Sequence, residues 1–580
     1  MSDNQSLIVV LNEATAARAL WSAFRNRTVR IAAVEPYLPR LSGILERAAR
    51  FIAGRMERAG RPPGDAETAL RRDIHVPLRE GIYMKVEPWQ AACYDYAGAE
   101  AKLGCYGHSY KKAINAFCHR RYLSVYLIDA FLNELGPCRL LGIDVELAAL
   151  YRETFGRTLP GAPTRPHPLR AFFNTATALL MLGAGAAMIL RRIRLRVSPK
   201  RYFLGVDWMG DWRDEQLFAA VEGDGLPVLR VPRYSDLLRV HGRLVRPDMP
   251  IAMSGDGLFP LGAGIRSLGE AIIDIFRLAA GTLGFQPRLF YDLVALPVRR
   301  MLIRALLHRF PCAFYWGRDE YNVEHILRSE ELRRQGGVSL GIFHGLPLSA
   351  QPWPYIRFVD FDICYIFGAA VGAIYKDTWP AHMRVHPIGG FGFSTGEYPP
   401  PARTPSRDIL VFVNPTIPID LWVRTMDVLC KEFSDRKIIL KYKESMLDRD
   451  DIGRLRAIFR ARHSDLIEHV GSAYAAMATG GYAVSDPSSV IAECLQYGLP
   501  TFLIDCESQW RNLIYRGFPD LCYVDPAHIA ARIRDLESGR ATFDRNVYKN
   551  LVAMPDVHWV HVVRRDMASS PAGDTARNAA

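Results

Sequence analysis

The stretch "AVSDPSSVIAECLQYGLPTFLID", Ala483 to Asp505, reads as a strand, a tight polar turn, a helix and a second strand. Its first run is short and apolar, Gly498 and Pro500 end the helix, and the next run is again apolar. Strand, turn, helix and strand in that order is the repeating unit of a parallel sheet with helices on its faces. The turn carries Ser485, Asp486, Ser488 and Ser489, with Glu493 a helical turn further on. In such a sheet ligands sit outside the carboxyl ends of the strands, where loops meet helix N-termini. Ser488 or Ser489 falls at the expected N-cap or first turn, where unpaired N–H groups and the helix dipole attract phosphate. Glu493 is placed to reach back towards a ribose or sugar hydroxyl. By itself such a turn is more often a helix cap than a ligand site.

The same alternation extends both ways. Strands are expected at "DILVFV" (Asp408 to Val413), "KIILKY" (Lys437 to Tyr442), "YAVS" (Tyr482 to Ser485), "PTFLID" (Pro500 to Asp505) and "LCYVD" (Leu521 to Asp525). Before the proline-dense "EYPPPARTPSR" (Glu397 to Arg407), a second series runs through "RYFLGV" (Arg201 to Val206), "LPVLRV" (Leu226 to Val231), "CAFYW" (Cys312 to Trp316), "VSLGIF" (Val338 to Phe343) and "DICYIFG" (Asp362 to Gly368). A strand–helix–strand opening, "SLIVVL" and "TVRIAAV" around "EATAARALWSAFRNR", starts the chain, and residues from about 50 to 170 are mostly helical in pattern. The fold expected is α/β. An N-terminal α/β domain covers 1–396, with a helical insertion at about 50–200. A Rossmann-like domain covers 405–565, and a disordered tail covers 568–580.

Composition sets bounds. At 580 residues the chain is too long for one core, and 49% hydrophobic with 23% charged residues is globular. A formal net charge of +12 favours an anionic partner. The basic residues are spread along the chain without an aromatic-basic platform or zinc module, so nucleic acid is not expected. Ten cysteines without a CxxC pair fit a reducing cytoplasm and no zinc site, and no secretory signal opens the chain. The 20 uncharged residues "AFFNTATALLMLGAGAAMIL" (Ala171 to Leu190), followed by "RRIRLR", leave three readings open: a membrane span, an interfacial helix or a buried helix.

The pattern SD-x-SS-x-x-x-E-x-x-x-x-G-x-P across Ser485 to Pro500 resembles the nucleotide-binding signature of GT-B glycosyltransferases. More narrowly it resembles that of CDP-glycerol glycerophosphotransferases and bacterial capsule and surface-polysaccharide transferases. The resemblance implies that Ser488 and Ser489 contact donor phosphate and that Glu493 holds the donor's ribose or sugar. It also implies a GT-B fold of two Rossmann-like domains facing a cleft. A second matching site is "GGVSLGIFHGLP" (Gly336 to Pro347), whose His344-Gly345 resembles the His-Gly strand end where the family histidine acts as base. An attacking hydroxyl must lose a proton, and imidazole titrates near neutral pH. Gly345 permits a sharp turn and close approach of substrate.

Weaker candidates complete the set. Lys441 and Lys443 share one face at a strand end and suit a diphosphate, although the family's Lys or Arg followed by His-Pro is not matched. Asn414 and Thr416, in "NPTIP", fall where these transferases line the donor pocket. Gly389 and Gly390, in "VHPIGGFGFSTG", suit a hinge or a backbone cradle. Arg318 and Asp319, in "YWGRDEYNVEH", are candidates for acceptor or donor contact. No metal ligand set or DxD-like dyad stands out, so a metal-independent transferase with no cofactor beyond its nucleotide-sugar substrate is expected. Its partners would be a nucleotide-activated sugar, a glycan or lipid-linked acceptor, and the anionic cytoplasmic face of a membrane. Rival readings are transfer of glycerol phosphate, a nucleotide-sugar 2-epimerase, and a non-catalytic assembly subunit.

Overall fold

The computed structural model describes residues 7–10, 30–33, 82–134, 139–141, 145–159, 170–232, 249–318, 320–343, 345–394, 396, 398, 406–414, 416–507 and 512–573. The chain divides into two compact units, Met1–Met188 with Ser267–Val298, and Ile189–Arg266 with Arg299–Ala580.

In the first unit β1 (Leu7–Val10) pairs in parallel with β2 (Arg30–Ala33) and β3 (Arg139–Leu141), in the order β2-β1-β3. The opening strands are therefore where the sequence puts them. The helix expected between them lies outside the described residues. The helical region appears as Ile82–Cys93, Tyr96–Leu103, Gly107–Glu134, Val145–Phe155 and Arg170–Leu190. Ile114, Phe117, Val125 and Ile128 from its longest helix are buried, as are Leu147, Leu150 and Tyr151 of the next.

The second unit holds two six-stranded parallel sheets. A short pair, β4 (Ile193–Arg194) with β7 (Phe259–Pro260), lies beside them in the chain. The first large sheet contains β5 (Tyr202–Trp208), β6 (Val228–Pro232), β8 (Cys312–Gly317), β9 (Val338–Ile342), β10 (Ile363–Ile366) and β11 (Arg384–Pro387), in the order β11-β10-β9-β8-β5-β6. The other contains β12 (Ile409–Val413), β13 (Ile438–Tyr442), β14 (Ile467–Glu468), β15 (Tyr482–Ser485), β16 (Thr501–Ile504) and β17 (Cys522–Tyr523), in the order β14-β13-β12-β15-β16-β17. Counted within itself, this second order is 3-2-1-4-5-6, the Rossmann order, and the first is 2-1-3-4-5-6, the flavodoxin-like variant. The α/β fold with two Rossmann-like sheets is thus what the chain adopts.

Burial explains why these runs become strands. Every residue of β5 and β12 is buried, as strands covered on both faces require. Ile409, Val411 and Val413 pack with Trp422, Met426, Phe459 and Ile533 on one side, while Leu410 and Phe412 pack with Met477, Val490 and Cys494 on the other. The helix Trp559–Ala568 returns from the chain end to the first sheet. Its Asp566 accepts from Tyr365 at 3.0 Å and meets His386 Nδ1 at 2.7 Å, and Trp559 stacks on Trp316. Residues beyond 558 therefore belong with the first sheet's layer, because its aromatic surface is what covers Trp559. The expected disordered tail begins as a turn in which Gly573 N–H donates to Ser570 C=O, and 574–580 lie outside the described residues. Ala171 to Leu190 is helical with most apolar side chains exposed, which removes the buried-helix reading.

Candidate functional site

In the second sheet the strand order reverses between β12 and β15, so the loops after them diverge and leave a crevice at their carboxyl ends. The loop after β12 carries Asn414 and Thr416, and the loop after β15 carries Asp486 to Ser489. The Asp486 carboxylate clips the two loops together. Its Oδ1 accepts from Asn414 N–H at 3.0 Å and Asn414 Nδ2 at 3.1 Å, and its Oδ2 accepts from Thr416 N–H at 3.1 Å and Thr416 Oγ1 at 2.6 Å. Asp486 has no exposed surface, and burial pushes its pKa up to about 7 against those four hydrogen bonds. Asn414, Thr416 and Asp486 are thus brought together, but as the frame of the crevice.

The serines divide the same way. Ser485, fully buried, donates from Oγ to the Asp486 carbonyl at 2.8 Å and closes the turn. Ser489 is the N-cap of Val490–Tyr497, yet its hydroxyl makes no capping bond, and Ser488 Oγ reaches Val490 N–H only at 3.5 Å. The cap expected of them is weak or absent, and both hydroxyls stand at the helix mouth. Tyr515 fixes the turn from behind by donating to the Ser488 carbonyl at 2.6 Å.

Glu493 is buried and accepts from Tyr474 Oη at 2.7 Å; burial raises its pKa, opposed by that bond and the Arg213 charge. Arg213 comes from the carboxyl end of β5, beside the first sheet's own order reversal between β5 and β8. Asp211 caps the helix Trp212–Gly223 and holds Arg213 through contacts of 3.0 and 2.6 Å. Arg318, just after β8, donates Nη1 to Asp211 at 2.5 Å and to Asp214 at 3.0 Å. Arg213 and Arg318 both lie over the Phe391 ring, at 4.6 and 5.0 Å. Burial works to raise Asp211, but Arg213 and Arg318 hold it well below the usual carboxylate range, while burial prevails at Asp214 and raises it. Arg318, itself buried, is therefore committed to the buried Asp214 and the half-buried Asp211 carboxylates. Asp319 lies outside the described residues.

This chain of charges, Asp214–Arg318–Asp211–Arg213 leading to Glu493 and Tyr474, links the carboxyl ends of both sheets. Sequence reasoning missed Asp211, Arg213 and Tyr474. The first two carried a usable signal, since "MGDWRDEQ" follows an apolar strand with an N-cap aspartate and an acid three residues on. Tyr474 carries none, because only the fold brings it to Glu493.

The remaining candidates sort by contact. Gly345, after β9, lies beside Ser489, since a Cβ added there would be 3.5 Å from Ser489 Oγ. His344 lies outside the described residues. The backbone next to this loop pairs with the second sheet's side of the unit, through Ala350 N–H to Asn512 C=O at 2.7 Å and Ile514 N–H to Leu348 C=O at 2.8 Å. Gly389 and Gly390 form a tight joint in place of an open cradle. Gly389 has φ of 79° with Ala553 C=O 2.5 Å from a notional Cβ, and Gly390 N–H donates to Gln496 Oε1 at 2.6 Å. Lys441 Nζ is taken by Glu444 at 2.9 Å, and Lys443 is exposed.

No family model and no curated protein matches the chain. Solved structures that it is similar to include the wall teichoic acid polymerase TagF, at 10% identity over 71% of this chain and 98% of that one, TM-score 0.39. Another is a putative UDP-N-acetylglucosamine 2-epimerase from Listeria monocytogenes, at 10% identity over 64% and 96%, TM-score 0.39. A third is the apo form of the lipopolysaccharide outer core galactosyltransferase WaaB, at 10% identity over 64% and 99%, TM-score 0.37. Likeness this loose transfers no residue role and no reaction.

Proposed function

We propose that the chain is a GT-B-type glycosyltransferase that moves a sugar from a nucleotide-sugar donor to a surface polysaccharide or lipid-linked glycan. The observation that carries this reading is the approach of Gly345 to Ser489, 3.5 Å from a notional Cβ to the hydroxyl oxygen. It supports a reaction site where the loop after β9 meets the helix mouth after β15. The donor's diphosphate would take the N–H groups at the start of Val490–Tyr497 with the Ser488 and Ser489 hydroxyls. His344, next to Gly345 in sequence, would take the acceptor's hydroxyl proton as the oxygen bonds to the anomeric carbon. The bond from that carbon to the leaving phosphate breaks, and the developing charge falls on the serines and the helix mouth. No metal is needed in this reading.

The test is product analysis by mass spectrometry with CMP-, CDP-, UDP- and GDP-linked donors and glycan or lipid-linked acceptors. Sugar transfer abolished by His344→Ala supports the assignment. A phosphodiester product from CDP-glycerol would replace it with phosphoalcohol transfer. Isomerised nucleotide sugar formed without acceptor would replace it with epimerisation, and turnover unchanged by His344→Ala would remove the base.

A further inference from the structure

Two long helices carry apolar side chains on the wrong side for a water-facing surface. Along Arg170–Leu190, Asn174, Ala178, Gly185 and Ile189 form the buried edge, while Phe172 is 66% and Leu180 is 70% exposed. Along Leu261–Thr282 the buried edge is Ser267, Ala271, Ile275, Leu278 and Thr282, and the outward one includes Ile273 at 58% and Phe276 at 57%. Outward positions 261, 265, 269, 272, 276 and 280 follow helical spacing and are Leu, Ile, Gly, Ile, Phe and Ala. A helix facing water would put charged residues there.

The two helices run antiparallel and are pinned at both ends. Asn174 Nδ2, near the start of the first, donates to the carbonyls of Leu283 at 2.8 Å and Phe285 at 2.9 Å, just past the end of the second. At the other ends β4, which follows the first helix, pairs with β7, which precedes the second. Directly after the first helix, Arg191, Arg194, Arg196, Lys200 and Arg201 are exposed, and no acidic residue occurs between Arg191 and Val206. Leu195, within this run, is 84% exposed.

We propose that this helix pair, with the arginine-rich run that follows its first helix directly in the chain, docks on an anionic lipid bilayer, lying in the interface plane. An apolar face flanked by a concentrated basic run is the chemistry that recognises such a surface, since apolar burial and attraction to anionic headgroups act together. Four charged residues on the second helix, Arg266, Glu270, Asp274 and Arg277, favour lying in the interface over crossing it. A second copy of this chain would cover the apolar stripe but would leave the basic run without a counter-charge. The inference is independent of the reaction proposed above, because its readout is binding alone.

The experiment is flotation of the full chain with phosphatidylcholine vesicles, with and without phosphatidylglycerol. The expected result is capture only by the anionic vesicles. The Phe172→Ser, Leu180→Ser, Phe276→Ser variant should lower partition by about tenfold or more with an unchanged melting midpoint. Arg191→Gln, Arg194→Gln, Arg196→Gln should lower it by about a hundredfold at low salt, and less at high salt. Absence of flotation for the wild type, or equal flotation of the serine variant, overturns the inference. So does a dimer in light scattering that the serine variant dissociates while no vesicles are bound.

Discussion

Replacing Asp486 by alanine tests whether one buried carboxylate frames the crevice between β12 and β15. The substitution removes an acceptor from two donors of Asn414, which is buried, and from two of Thr416, which is half-buried and whose Oγ1 also reaches the Pro487 carbonyl at 3.4 Å. An orphaned buried donor costs about 1–3 kcal/mol, and those of Thr416 can recover part of this from water. Removing a carboxyl whose pKa burial has pushed to about 7 returns some of the loss. The net expectation is about 2–4 kcal/mol at pH 5. The sign of the pH dependence follows from the unfolded aspartate titrating near ~3.9. Between about pH 4 and 7 the unfolded state releases its proton first, so this group's contribution falls as pH rises and levels off above the folded pKa. The gap between wild type and Asp486→Ala is therefore wider at pH 5 than at pH 8. Urea unfolding at both pH values measures it, with tryptophan emission as the probe, because Trp422 Nε1 donates to the Asn414 carbonyl at 3.2 Å. A gap under about 0.5 kcal/mol at both pH values, or one that widens with pH, would refute the reasoning.

Three other perturbations follow from the same contacts. Arg318→Ala strands the buried Asp214 carboxylate, while the half-buried Asp211 keeps Arg213, and should destabilise by about 3–5 kcal/mol in denaturant titrations. Tyr474→Phe removes the 2.7 Å bond to Glu493 together with the hydroxyl's contact with Arg213, with an expected loss of about 1–2 kcal/mol by thermal unfolding. Gly389→Ala forces a left-handed φ of 79° and a contact of 2.5 Å with Ala553 C=O, costing about 2 kcal/mol or more.

Sheet strands were legible where they were short, apolar and bounded by turn residues. "YAVS" is β15 residue for residue, and "DILVFV" and "KIILKY" contain β12 and β13 within a residue of each end. β11 escaped because "RVHP" is an edge strand with exposed or half-exposed side chains, and β14 because two residues make no pattern. The grouping of residues 267–298 with the N-terminal helices depends on contacts distant in sequence and leaves no local trace. At the site, the turn at Ser485 to Ser489 and the loop at Asn414 were visible as polar residues after buried strands. The role of Asp486 as the clip between them was not, because its four bonds span some 70 residues. Arg318 looked available in sequence for the same reason, since its partners Asp211 and Asp214 lie more than 100 residues away.

In the proposed reaction the mouth of the Val490–Tyr497 helix binds the donor nucleotide. Calorimetric titration of CMP, CDP, UDP and GDP into the wild type and into the Ser488→Ala, Ser489→Ala double variant tests it most directly. Two hydrogen bonds to a charged phosphate, at about 1.5–3 kcal/mol each, predict that at least one diphosphate binds the wild type and binds the variant at least about a hundredfold more weakly. The melting midpoint should hold, since neither hydroxyl is a strong cap. Equal affinity in both proteins, or binding of none of the four nucleotides, would contradict the account.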